Sequence, residues 1–245
     1  RSLHDVDLLI TERLCPAMAY ISARCGDKIH ALGYCMGGTL LTAGALHAPS
    51  FLRSIICLAS PWDFHAGDRK LADQVRAGTP SALQMIAQKD SLPKDWIQSV
   101  FAAVNADRAL QKFSDFSMLE DTSERARIFV AVEDWLNDGV DLPARLAHTC
   151  IADWYGANLP GRGVWNVAGK IMDLSALSVP ALVMASANDR LVPLESALFM
   201  ADLIPKSRKM ELSSGHIGMI TGRYAERQVW QPVSAWVKGT LGQTA

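Results

Sequence analysis

Three residues far apart in this chain could together form an activated nucleophile with its base and acid: Cys35, Asp189 and His216. A thiol becomes a strong nucleophile once its proton is removed. An imidazole can take that proton, and a carboxylate can hold the imidazole in the tautomer that does so. Cys35 stands in the run Gly33-Tyr34-Cys35-Met36-Gly37-Gly38. A nucleophile with glycine two positions away on either side fits a strained strand-to-helix turn, in which side chains at Gly33 and Gly37 would collide. Such a turn aims the sulfur at the N-terminus of the next helix, where free N–H groups and the helix dipole favour a thiolate. The amide of Met36, next after the nucleophile, is then placed to hold an oxyanion. Each residue also has a plainer reading: a buried structural thiol for Cys35, a turn residue before Pro193 for Asp189, and a loop histidine after Gly215 for His216. Asp63 is a spare candidate for the acid, while His30 and His65 read as structural.

The elements that must position these groups are legible in the apolar pattern. Residues 5–24 repeat Val6, Leu9, Ile10, Leu14, Met18 and Ile21 at helical spacing, and Gly26-Asp27 ends the helix. The run from Ile29 forms a strand into the cysteine turn, and the helix beyond extends to about His47, stopped by Pro49. Ser54–Ala59 is apolar enough for a parallel strand buried on both faces, Val179–Ser186 is a further strand, and Ser207–Leu212 is a last strand. Helices are expected over Ser196–Leu203 and from the His216 loop through Trp230 to Val237. Residues 65–173 lack a strand pattern and read as an inserted helical cap, dividing the chain into core 1–64, cap 65–173 and core 174–245. Strands alternating with helices imply an α/β fold with a mostly parallel sheet. Asp189 and His216 both fall at C-terminal ends of strands, and the order nucleophile, acid, base is that of an α/β-hydrolase-like sheet.

Composition excludes several other classes. Basic and acidic residues number 24 and 25, so there is no cationic footprint for nucleic acid. No apolar run is long enough for a transmembrane segment, and the start carries no signal-peptide pattern. The five cysteines are odd in number and scattered without a Cys-x-x-Cys pair, which argues against a disulfide framework and a metal site and fits reduced, cytoplasmic thiols.

Beyond the cysteine box the chain resembles the polyhydroxyalkanoate (poly-3-hydroxybutyrate) synthases, which carry Cys in a Gly-x-Cys-x-Gly-Gly box. Further words follow in family order: Asp134–Gly139, Trp154-Tyr155-Gly156-Ala157-Asn158-Leu159, Val167–Leu174 and Ser213–Gly218. The resemblance implies a transferase that needs no cofactor and takes the coenzyme A thioester as substrate. Cys35 would accept an (R)-3-hydroxyacyl group from 3-hydroxyacyl-CoA and pass it to the hydroxyl end of a growing polyester chain. It also implies work as a homodimer or with a second synthase subunit, at polyester granules; the ending around Gly215–Ile220 and Trp230 leans to the two-subunit type. Two departures stand out. Arg190 occupies the place after the acid where the family usually has His, and few residues precede Cys35, where strands flanking the elbow strand and a second oxyanion donor are expected. The expectation drawn is a fragment of a longer protein, impaired on its own. The alternatives are a Cys-dependent hydrolase (thioesterase, polyester depolymerase or dienelactone-hydrolase-like) and a non-catalytic homologue; the wide interval between Cys35 and Asp189 speaks against the dienelactone type. Trp96, Trp135, Trp154 and Trp165 read as core more readily than as the lining of an acyl channel.

Overall fold

The computed structural model describes residues 5–104 and 106–241. Its centre is a four-stranded sheet of β1 (Ile29–Tyr34), β2 (Leu52–Leu58), β3 (Ala181–Ser186) and β4 (Ser207–Leu212), in that spatial order and all parallel. The two inner strands are apolar because both faces are covered. Every residue of β3 is buried, as is every residue of β2 except Arg53. Each large side chain sealed there, such as Ile55, Ile56, Leu182 or Met184, contributes about 1.5–3 kcal/mol through removal from water. Of the outer strands, β4 exposes the charged residues Arg208, Lys209 and Glu211, and β1 exposes Leu32. Among the described residues β1 pairs only with β2, so the strand that leads into the cysteine turn is an edge of the sheet.

The first helix differs from the uniform one expected over 5–24. A short turn, Val6–Leu8, runs into a π-helical segment, Leu9–Leu14, before α1 (Cys15–Cys25). Pro16 accounts for the wide turn: with no N–H it cannot close the usual bond to the carbonyl four residues back. Gly26 then ends α1 in the left-handed conformation, φ 67°. The next helix, α2 (Met36–His47), is buried along most of its length between the sheet and α1.

Between β2 and β3 lie α3 (Lys70–Lys89), α4 (Lys94–Val104), α5 (Ala106–Ser117), α6 (Glu124–Asn137) and α7 (Ala144–His148). Two short antiparallel ribbons accompany them, Ser91–Leu92 with Leu142–Pro143 and Asn166–Val167 with Lys170–Ile171. Much of this segment packs on itself, around Leu71, Val75, Leu92, Val104 and Ile151. From Trp154 onward its side chains enter the main core instead. Trp154 meets Trp165 edge-on at 5.3 Å, and Trp165 meets Trp62 at 5.6 Å. Of the four tryptophans read as core, Trp154 and Trp165 are buried and Trp96 is half-buried against Gly78, but Trp135 is 63% exposed. A second π-helical segment, Thr149–Gly156, follows α7 and carries Ile151 in the inserted cluster and Trp154 in the main core.

After β3 comes α8 (Leu194–Leu203), and after β4 a loop leads to a single helical turn, Gly218–Thr221. The continuous final helix expected from the sequence is broken. The backbone is extended at Gly222, and a π-helical segment, Glu226–Trp230, precedes α9 (Gln231–Leu241). Among the described residues, no helix is long and apolar enough to cross a membrane.

Candidate active site

The turn between β1 and α2 is tight because it reverses a strand into a helix within one residue. That residue is Cys35, at φ 53° and ψ −129°, a conformation in which a side chain is strained. Its amide donates to the carbonyl of Leu58 at the end of β2 (2.9 Å), and its carbonyl accepts from Gly38 N (3.0 Å). The glycines serve the turn differently from the sequence expectation. A Cβ at Gly33 would collide with the backbone of Gly37 and Gly38, as expected, but Gly37 faces open space. The second crowded position is Gly38, where a Cβ would run into the Ser60 side chain. Gly38→Ala is therefore expected to lower the melting temperature and distort the turn. Gly37→Ala should raise stability by about 0.5–1 kcal/mol, because alanine loses less freedom than glycine in a helix. Thermal unfolding of the two variants checks the pair.

Asp189 follows β3 in a turn that holds its carboxylate at both ends. Oδ1 accepts from the amides of Leu191 (2.8 Å) and Val192 (3.0 Å), and Oδ2 lies 2.6 Å from Nδ1 of His216. The Asp189 side chain is fully buried and that of His216 nearly so. The remaining ring nitrogen of His216 is left for Cys35, whose side chain and charge act on the imidazole. The three residues thus form one chain of contacts, sulfur to imidazole to carboxylate. Met36 opens α2, so its amide is among the helix N–H groups that have no intrahelical acceptor.

Electrostatics favour a charged imidazole here. Burial alone would push His216 down. The hydrogen bonds to Asp189 and Cys35, together with negative charge on both, outweigh burial and carry it up to about 9. The sign for stability follows from linkage. An unfolded histidine titrates near pH 6.5, so this contribution is complete below that pH and is lost as pH rises through 9. The melting temperature is expected to fall by several degrees across that window, and Cys35→Ala, lacking one of the two partners that raise the imidazole, should show the fall at lower pH.

Other residues sort themselves around this site. Cys150, on the second π-helical segment, places its Sγ 3.9 Å from the Met36 Sδ. Burial first, then the charges of Asp153 and Cys35, push its thiol up to about 12, so it stays protonated beside the nucleophile. Asp63, the spare acid, is engaged elsewhere. Its Oδ1 accepts from Asn158 Nδ2 (2.8 Å) and His65 N (2.9 Å), and Asn158 Oδ1 accepts from Phe64 N (2.9 Å), which ties the inserted segment to the loop after β2. His65 Nε2 lies 2.7 Å from the Tyr155 carbonyl, and His30 Nδ1 lies 2.7 Å from Ser54 Oγ, which also accepts from Trp236 Nε1. Arg190, beside the acid, is exposed. Among the described residues no group of three metal-ligating side chains converges. Two site neighbours are not evident from residue patterns alone: Cys150, and Tyr34, which touches His216.

A strand–Cys turn–helix, followed in chain order by an acid and a base at the ends of later parallel strands, defines a class. The chain belongs to the α/β hydrolase fold family, whose profile matches residues 25–223. Within that class its sequence is similar to poly(3-hydroxyalkanoate) polymerase subunits PhaC. The subunit of Haloferax mediterranei is 26% identical over 216 residues, covering 86% of this chain and 43% of the relative. That of Synechocystis is 24% identical over 221 residues, covering 86% and 58%. That of Allochromatium vinosum is 25% identical over 215 residues, covering 86% and 60%. The chain spans about half the length of these relatives. Among solved structures, the monoacylglycerol lipase of Paleococcus ferrophilus superposes with TM-score 0.57 at 12% identity, covering 98% of this chain and 77% of the lipase. A thermophilic esterase of Thermogutta terrifontis gives 0.53 at 17%, covering 98% and 74%. These two share the fold.

Proposed function

We propose that this chain carries the acyl-transfer chemistry of a polyhydroxyalkanoate synthase, joining (R)-3-hydroxyacyl groups from coenzyme A thioesters into a polyester. The observation that carries the reading is a cysteine, not a serine, at the strained turn, paired with an imidazole whose other nitrogen is 2.6 Å from a buried carboxylate. Similarity to polymerase subunits over 86% of the chain directs that pair to a polyester.

The arrangement of the three side chains supports the following steps. His216 takes the Cys35 proton, and the sulfur attacks the thioester carbonyl, with the Met36 amide holding the negative oxygen. The bond to the coenzyme A sulfur breaks, His216 returns its proton to that sulfur, and the acyl group remains on Cys35. His216 then takes the proton of a hydroxyl at the polymer end, and that oxygen attacks the Cys35 thioester. The new ester forms, and the sulfur leaves to regenerate the pair. Asp189 holds His216 in the tautomer that both steps need. Thiolate-for-thiolate exchange in the first step is close to balanced in energy, so the acyl group can be held until a hydroxyl arrives.

The test is to incubate the protein with 3-hydroxybutyryl-CoA and follow both free thiol and product. Thiol release with insoluble polyester is expected. Release with free 3-hydroxybutyrate would identify a hydrolase, and no release together with no labelling of Cys35 by a thiol-reactive substrate analogue would identify a non-catalytic homologue.

A further inference from the structure

The His216 base must be held not only by its acid but relative to the sulfur it serves. The bond from Asp189 to Nδ1 fixes one corner of the imidazole and leaves the ring free to swing about that corner. The loop carrying His216 is gripped mainly upstream. Asn188 Nδ2 donates to the Ser213 carbonyl (2.8 Å), and Gln228 bonds Ser213 Oγ (2.8 Å) and Ser214 Oγ (3.1 Å). None of these contacts refers the base to the strand that bears Cys35.

Tyr34 does. It is the last residue of β1, directly before the nucleophile. Its hydroxyl donates to the His216 carbonyl at 3.1 Å, and its ring lies against the imidazole with centroids 4.8 Å apart and planes tilted by 32°. We propose that Tyr34 is a positioning residue for the base. Its hydroxyl pins the backbone of His216, its ring sets the plane of the imidazole, and both move rigidly with Cys35 because they share a strand. This inference rests on the Cys35–His216 pairing proposed above.

Two further features suit the role. Burial, with negative charge on Cys35 and Asp189 adding to it, pushes the Tyr34 phenol well above its usual range, so it remains a neutral donor wherever the pair works. Among the described residues, Asp189 and Cys35 are the charged groups that act on the imidazole, and Tyr34 is the aromatic ring against it. The ring covers the imidazole from water on its side, and attraction between sulfur and imidazolium strengthens as water is excluded. A leucine would fill part of that space without a flat face or a donor.

The experiment is alkylation of Cys35 by iodoacetamide as a function of pH, resolved from the other four cysteines by mass spectrometry of the Cys35 peptide. The parent should alkylate at about pH 6 markedly faster than free cysteine does, because His216 is placed to take the thiol proton. Tyr34→Phe keeps the ring and should keep that profile, with the rate lowered by at most a few-fold. Tyr34→Leu should lose the low-pH reactivity, by about tenfold or more at pH 6, and follow an ordinary thiol curve. Tyr34→Met is a second ring-free variant should the leucine protein fail to fold. A parent-like profile in a folded ring-free variant overturns the role of Tyr34 alone. An ordinary thiol profile in the parent overturns the Cys35–His216 pairing, and this inference with it.

Discussion

Asp189→Asn is expected to reduce acyl transfer by about 10³–10⁴-fold while leaving the fold intact. The reason lies in how the carboxylate divides its two oxygens. Oδ1 accepts from the amides of Leu191 and Val192, and an asparagine carbonyl can keep both bonds, so the turn after β3 stays closed. The amide nitrogen must then face Nδ1 of His216, where it donates. A donor there forces Nδ1 to become the acceptor and moves the ring proton to the nitrogen that faces Cys35. The base then confronts the thiol with a proton it cannot exchange for another. Loss of the carboxylate charge also removes one of the interactions that raise the imidazole. The variant should therefore melt below the parent near about pH 6, converge with it above about pH 9 where this contribution is already lost, and show a lowered His216 titration, seen by NMR of the ring protons. Retention of more than about a tenth of parental turnover would show that Asp189 does not set the tautomer.

Cys35→Ala removes the nucleophile and should lower turnover further, by at least about 10⁴-fold, since no other group in the site can take over the covalent step. Cys150 is the nearest competitor, but it lacks the imidazole and stays protonated at neutral pH. Retained labelling by a radioactive 3-hydroxybutyryl thioester in Cys35→Ala would transfer the covalent role to another thiol. Cys35→Ala combined with Cys150→Ala would then identify which one. Since alanine also relieves little of the strain at φ 53°, the variant should not gain much stability, and its unfolding curve serves as a control for folding.

The parts legible in the sequence are those whose causes are local. β2 and β3 announce themselves because both faces are covered and their runs are apolar. The cysteine turn shows because a strand, a glycine box and a helix follow one another within a few residues. Asp189 and His216 stand out by falling just beyond strands, and the structure brings them to 2.6 Å. What escaped depends on neighbours distant in the chain. Gly38, not Gly37, is the crowded glycine because of Ser60, which belongs to the next strand-end loop. Tyr34 meets the base across 182 positions of sequence, a contact that no local spacing encodes. The π-helical turns at Leu9–Leu14 and Glu226–Trp230 do not alter the apolar stripe by which helices are read, so continuous helices were the natural expectation.

The same long-range contacts set the order in which the molecule can assemble. β1, α2 and β2 are close in sequence and can collapse early, but β2 finds β3 only after the whole inserted segment has been looped out. The His216 loop comes later still: its bond to Asp189 spans 27 residues, but its bond to Tyr34 closes across 182. A newly collapsed molecule would therefore own its thiol before it owns its base. Rapid alkylation of Cys35 at mildly acidic pH then counts molecules that have completed folding, and its rise during refolding should lag the recovery of helical signal.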